Sequence, residues 1–172
     1  MVKATFKNLA ADKQERIVTA LLTEFGEYPL AEAQVARIIK TAEIARGAFY
    51  KYFDDLTDAY RYVYGLAMRE VHQGINMHDF SARGIYQQVA DFVTQAQASR
   101  YYQLVKMHLA YNESLVGAIS SAQSDRIRQL PAKVWAGMVL SHAAIKLALL
   151  DPEHRTTNLA RFKESLALLD KE

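Results

Sequence analysis

Residues 45–53 read ARGAFYKYF, and the fold is decided by how this stretch sits against what precedes it. Wound as a helix, it puts Ala45, Phe49 and Phe53 or Tyr52 on an inward side and leaves Arg46, Gly47, Tyr50 and Lys51 outside. Moving upstream, a break near residues 42–44 separates it from a short helix expected over Ala31–Thr41, with Val35, Ile38 and Ile39 apolar. Before that, Ile17, Val18, Leu21, Leu22 and Phe25 form the stripe of an amphipathic helix over Asp12–Phe25, which Gly26 and Pro29 are expected to stop. Three helices this short are not stable alone, so they must share a core.

Two short helices about a tight turn, the second carrying basic and aromatic groups, meet the physical specification of a helix-turn-helix. In such a unit the second helix enters the major groove while the first steadies it. From Arg16 through Ala59 the chain resembles the tetracycline-repressor family. The resemblance rests on Ile17, Ala20, Phe25, Val35, Ile38, Ala42, Ile44, Gly47, Tyr50 and Phe53 and on the ungapped ARGAFYKYF run. It implies an all-α protein with a three-helix DNA-binding head over 1–55 and a helical effector-binding and dimerisation domain over 56–172. Three departures stand out. Glu43 occupies the turn position where the family usually has Gly, and a non-glycine residue at positive φ costs on the order of 1 kcal/mol, so a differently shaped turn is expected. Ala45 replaces the usual Ser or Thr cap, with Thr41 or Glu43 as candidate substitutes. Leu56 replaces the Lys that commonly grips a phosphate, beside Asp54 and Asp55, which predicts weaker backbone affinity and a shallower salt dependence.

Roles on the DNA-facing side follow from side-chain chemistry. Arg46 is the candidate for a bidentate guanine contact, and Lys51 for a phosphate or a base edge. Gly47 and Ala48 are small enough to let the backbone approach the groove, and Ala48 is suited to a thymine methyl. Tyr50 and Tyr52 are placed by the resemblance at phosphates, with a core role as the competing reading for Tyr52. Gln34 and Arg37 on the preceding helix, and Lys3 or Lys7 on the leading arm, are further candidate phosphate partners.

The rest of the chain is helical in pattern. Seven glycines and three prolines in 172 residues form no linker or hairpin cluster. Helices are expected from Leu56 into the low 70s, then over Ile85–Ala98, Tyr101–Ile119, Ile127–Leu150 with an interruption at Pro131, and Asn158–Asp170. Within Tyr101–Ile119, one face collects Tyr101, Leu104, Val105, His108, Asn112, Leu115, Val116 and Ile119. The apolar run Val134–Leu150 is shorter than the ~20 residues of a bilayer span and contains Ser141, His142 and Lys146, so it reads as a buried helix. The opening residues lack the apolar core of a signal peptide, and there is no cysteine for a disulfide or thiolate site, so a cytoplasmic, soluble protein is expected. The net charge of +2 does not by itself argue for nucleic acid. Residues 1–53 hold eight Lys/Arg against six Asp/Glu, and Asp54, Asp55 and Asp58 then reverse the excess.

Catalytic chemistry finds no constellation. The histidines 72, 78, 108, 142 and 154 are scattered without metal-ligand spacing, and there is no phosphate loop or nucleophile elbow, so neither enzyme activity nor a cofactor or metal is expected. The resemblance instead implies an apolar or aromatic effector. Tyr60, Tyr64, Met68, Met107, His108, Tyr111, Trp135 and Met138 are the candidate lining, with core packing as the competing account. Because Val134–Leu150 is apolar around nearly its whole circumference, one side should meet the core and another a partner. Met138, Ile145, Leu149, Leu159, Phe162, Leu166 and Leu169 are the expected dimer contacts, in a four-helix bundle made with a second copy. A twofold dimer implies a pseudo-palindromic operator. The functional expectation is a DNA-binding repressor released by a small molecule; the alternative is a helical interaction protein without operator binding.

Overall fold

Among the described residues apolar periodicity becomes helix where it is expected, and the differences are at helix ends and in one π turn within the segment that follows Tyr101. The computed structural model describes residues 2–76, 78–116, 125 and 127–170, and among these there is no strand. The helices are α1 (Ala4–Lys7), α2 (Ala11–Glu27), α3 (Val35–Ala42), α4 (Arg46–Tyr52), α5 (Leu56–Val71), α6 (Ala82–Ala98) and α7 (Tyr102–Met107). A π turn over His108–Asn112 leads into α8 (Glu113–Val116). Then come α9 (Ala132–Leu150), a 3₁₀ turn over Pro152–His154, and α10 (Arg155–Leu169). Ile119, expected in the seventh helix, lies outside the described residues, as does the side chain of Val116.

Several boundaries move for identifiable reasons. Helix α2 runs through Gly26, because the glycine serves close packing: a Cβ there would sit 3.2 Å from the Cβ of Gln103 at the start of α7. Helix α3 starts four residues later than expected, since 29–33 close their own turns through Glu32 N–H to Pro29 O and Ala33 N–H to Leu30 O. Helix α6 starts earlier, at a Ser81 cap whose hydroxyl accepts the Gly84 N–H at 3.0 Å. Asp151 does not cap the next helix; its carboxylate meets His154 Nδ1 at 3.0 Å.

The chain divides into two compact units, Met1–Glu70 with Arg100–Val116, and Val71–Ser99 with Gly117–Glu172. This differs from the expected division at residue 55. The reason is packing: α5 up to Glu70 and all of α7 complete the core of the three-helix head. In the first unit Phe6, Phe53 and Tyr62 cluster with ring centroids 5.1–6.0 Å apart. Phe25 meets Tyr60 edge-on at 5.1 Å, and α2 lies against both α3 and α7. Ile17, Leu21, Ile38 and Phe49 are wholly buried there.

In the second unit α6, α9 and α10 pack mutually. Val89, Phe92, Ala144, Ala148, Leu149, Phe162 and Leu166 form its core. Leu149, Phe162 and Leu166 were expected at a dimer contact; they are instead enclosed within the subunit, because α10 turns its apolar stripe onto α6 and α9. Leu159, Leu169 and Ile145 are half-buried. Helix α9 is not the buried helix its composition predicted. By length and composition alone it is long enough to cross a membrane, yet only 22% of its most apolar window is buried. Trp135, Met138, Val139 and Leu147 are each about half exposed.

Candidate nucleic-acid interface

The turn between α3 and α4 is built as a left-handed helix stop. Ile44 N–H bonds to Ile39 O at 3.1 Å and Glu43 N–H to Lys40 O at 3.3 Å, the paired bonds that end a helix on a left-handed residue. Glu43 takes that conformation, with φ 52° and ψ 48°. The turn therefore has the shape a glycine would give, contrary to the expectation of a different one, and the cost falls on a non-glycine backbone. Glu43→Gly is expected to raise stability by about 0.5–1 kcal/mol, the relieved strain less the added freedom of the unfolded chain. An unchanged or lowered urea midpoint would contradict this.

At its N-terminal end α4 is uncapped: Ala45 has no side-chain hydrogen bond to offer, and neither Thr41 nor Glu43 substitutes. Its C-terminal carbonyls are closed by the leading arm. Lys3 donates from its backbone N–H to Tyr52 O at 3.0 Å and from Nζ to Tyr50 O at 2.8 Å, and the Thr5 hydroxyl donates to Lys51 O. Lys3 Nζ also meets Asp54 at 2.9 Å, and this hydrogen-bonded cation holds the Asp54 carboxyl below its ordinary range. Lys3 is thus engaged with the head itself. Lys7 is exposed. The other two acids start α5: Asp58 N–H donates to Asp55 Oδ1 at 2.7 Å, and Asp54 N–H to Asp58 Oδ2 at 3.1 Å, a reciprocal arrangement like a capping box. The acidic trio that cancels the head's charge on paper is thus occupied in shaping the α4–α5 junction.

On the outward side of α4, Arg46, Gly47 and Lys51 are exposed, Tyr50 is 42% exposed and Ala48 is half-buried. Nothing lies within 4 Å of a Cβ placed on Gly47. Among the described residues neither Arg46 nor Lys51 has an ion-pair partner. Phe49 and Phe53 face wholly inward. Tyr52 goes with them: it is 7% exposed and its ring sits edge-on to Phe6 at 5.8 Å, so its competing core role is the one the structure gives it.

Arg37 is also redirected. Its Nε donates to Glu24 Oε2 at 2.8 Å and its Nη2 to Glu24 Oε1 at 2.6 Å, with a further bond to Glu32 O at 2.8 Å, and the guanidinium lies 3.9 Å over the Tyr28 ring. The hydrogen bond to Glu24 holds it above the ordinary arginine value. Glu24, 3% exposed, also accepts the Gln34 N–H at 2.6 Å. Sequence reasoning missed this carboxylate, although its place in the stripe Ile17, Leu21, Glu24, Phe25 was the available signal. The side chain of Gln34 remains on the exposed surface.

The expected effector lining divides between the units. In the first, Tyr60 OH meets His108 Nδ1 at 2.9 Å and Tyr64 stacks on the His108 ring at 4.0 Å. Burial pushes the Tyr64 hydroxyl up to about 12 and raises Tyr60 further. Met68 and Met107 are half-buried in this unit, and Tyr111 is 61% exposed. Trp135 and Met138 lie on α9 in the second unit. The second unit has a groove lined by Phe80, Ile85, Val134, Met138 and Ile145, with Gln88, Ser141 and His142 as its polar groups.

This all-helical fold is shared with solved structures of TetR-family transcriptional regulators. Among solved structures, a TetR family transcriptional regulator from Chloroflexus aurantiacus J-10-FL matches with a TM-score of 0.60 at 16% identity, over 99% of this chain and 97% of that one. A TetR-like transcriptional regulator from Rhodococcus sp. RHA1 matches at 0.62 with 14% identity, covering 93% and 96%. A TetR transcriptional regulator from the same organism matches at 0.52 with 17% identity, covering 92% and 96%. At these identities the likeness is one of fold. No family model and no curated protein matches the chain.

Proposed function

We propose that this protein is a sequence-specific DNA-binding transcriptional regulator of the TetR type that reads its operator through α4. The observation that carries the reading is the division of α4 into two faces: Phe49 and Phe53 wholly buried, Arg46, Gly47, Tyr50 and Lys51 turned to solvent beside an uncapped helix start. The internal engagement of Asp54, Asp55 and Asp58 supports it further, since the acids that offset the positive charge of residues 1–53 have structural roles.

Arg46 is the base reader, Tyr50 and Lys51 grip phosphates, and Gly47 and Ala48 allow close approach. The protein acts as a cytoplasmic homodimer on a pseudo-palindromic site and represses until a small apolar or aromatic effector enters the helical region. It has no enzymatic role. The groove beside Phe80, Ile85 and Ile145 is the better candidate for that effector than the residues first expected, because its apolar and polar groups share one unit.

Fluorescence anisotropy on the DNA upstream of its own gene tests the reading; millimolar or sequence-blind binding at moderate salt would remove it. Arg46→Ala should leave folding intact and cost about 1–3 kcal/mol of specific binding, through loss of a guanine contact. Tyr50→Phe should weaken binding to all duplexes alike. If Arg46→Ala left both affinity and base preference on a selected operator unchanged, α4 would not be the helix in the groove. Any effector must also be bound less tightly when operator is present, by the same factor as it weakens operator binding.

A further inference from the structure

The π turn at His108–Asn112 stands where the sequence calls for uninterrupted α-helix. Tyr101, Leu104, Val105, His108, Asn112 and Leu115 repeat at α spacing, so a continuous helix would bury all of them on one face. A π turn carries about one extra residue and breaks the repeat. Accordingly Leu109 joins the buried set at 6% exposure, while Leu115 is turned out at 52%. The segment thus has two apolar registers: an α register that encloses Leu115, and the π register that the structure adopts.

The π register comes with a long-range bond. Asn112 is wholly buried, and its Oδ1 accepts the Leu30 N–H at 2.9 Å. Leu30 lies in the connection between α2 and α3, whose far end is held by Glu24 accepting the Gln34 N–H. Two buried acceptors therefore pin both ends of the loop that sets α3 against α2. At the other end of the π turn, His108 is fixed by Tyr60 and Tyr64.

We propose that Asn112 is a positioning residue for the DNA-reading head, and that the π turn is the register switch that sets it. Return to the α register turns the flank after His108 by roughly 100°, one residue's rotation, which draws Asn112 off Leu30 and brings Leu115 inward. The α2–α3 loop is then held at its Gln34 end alone, and α3 and α4 lose their fixed presentation. This rests on the DNA-binding reading above.

The test uses the full chain with Asn112→Leu, which keeps the branched shape and heavy-atom count and removes the acceptor. Exchange of the Leu30 amide, followed by NMR in the absence of DNA, is expected to speed by about tenfold or more relative to amides of α2. Affinity for a duplex selected from a random pool should fall about tenfold with an unchanged salt slope, because the phosphate contacts keep their number. Asn112→Asp keeps an oxygen in place and should preserve slow exchange at Leu30. Unchanged exchange in Asn112→Leu, or faster exchange with undiminished affinity, overturns the proposal. Where Asn112→Leu fails to fold, Asn112→Asp decides: slow exchange at Leu30 supports the pin, and fast exchange despite the retained oxygen overturns it. A wild-type protein that selects no duplex would remove the DNA-binding reading, while exchange at Leu30 still reports whether Asn112 holds the loop.

Discussion

Replacing Glu24 by alanine is expected to cost about 2–3 kcal/mol of stability, read as a lowered urea midpoint at unchanged slope. The carboxylate is 3% exposed and accepts from the Arg37 guanidinium twice over and from the Gln34 N–H. Removing one partner of a buried charged pair costs about 3–5 kcal/mol when the other is stranded. Arg37 is 34% exposed and can turn part of its guanidinium to water, which brings the figure down. Glu24→Gln keeps an acceptor but no charge and should cost about 1 kcal/mol. Operator affinity should fall alongside stability in Glu24→Ala, because the entry of α3 is set by this cluster. A Glu24→Ala protein as stable as the wild type would mean that the pair contributes nothing to fastening α2 to α3.

The second large effect concerns assembly. We expect the double substitution Val139→Glu, Leu147→Glu to give folded monomers of 19.5 kDa where the wild type runs at twice that mass by light scattering. Both positions are half exposed on the outward side of α9, so the subunit itself does not need them for folding. In a twofold pair the same stripe meets its own copy, and each subunit would bring two carboxylates into a low-dielectric contact. An uncompensated buried charge there should raise the dissociation constant about a hundredfold, roughly 3 kcal/mol. Phe162→Glu makes the informative contrast. Phe162 is 5% exposed beside Tyr86 within the subunit, so a charge there should unfold the second unit rather than separate intact monomers. Operator binding should be lost in the α9 variant, since one head cannot hold two half-sites. A wild-type protein that is monomeric at micromolar concentration would sink this interface.

The sequence by itself determined the helices and the helix-turn-helix. Those follow from local rules: the apolar stripe over Ile17–Phe25, the inward Phe49 and Phe53, the outward Arg46 and Lys51, and the stops near Pro29, Pro131 and Asp151. Composition also marks α9 as unusually apolar. It could not show which side of that helix is enclosed, because every side reads alike; only the packing of α6 and α10 against it distinguishes Ala144 and Ala148 from Val139 and Leu147. The same limit moved Leu149, Phe162 and Leu166 from an expected interface to the subunit's own core.

Polar side chains were the least legible part, and for one physical reason: a charged or amide group takes its role from partners that are distant in the chain. Arg37 has the chemistry of a phosphate ligand but is held by Glu24, Lys3 closes the end of α4, and the charge of Asp54 meets Lys3. Glu43 shows the same boundary from the other side. Its unsuitability for a left-handed turn follows from its side chain alone, whereas its adoption of that turn at φ 52° is imposed by α3 and α4 closing over a shared core. Asn112 is the furthest case: an apolar-face position by periodicity, it meets a partner 82 residues away in the chain from the end of a π turn that no local pattern announces.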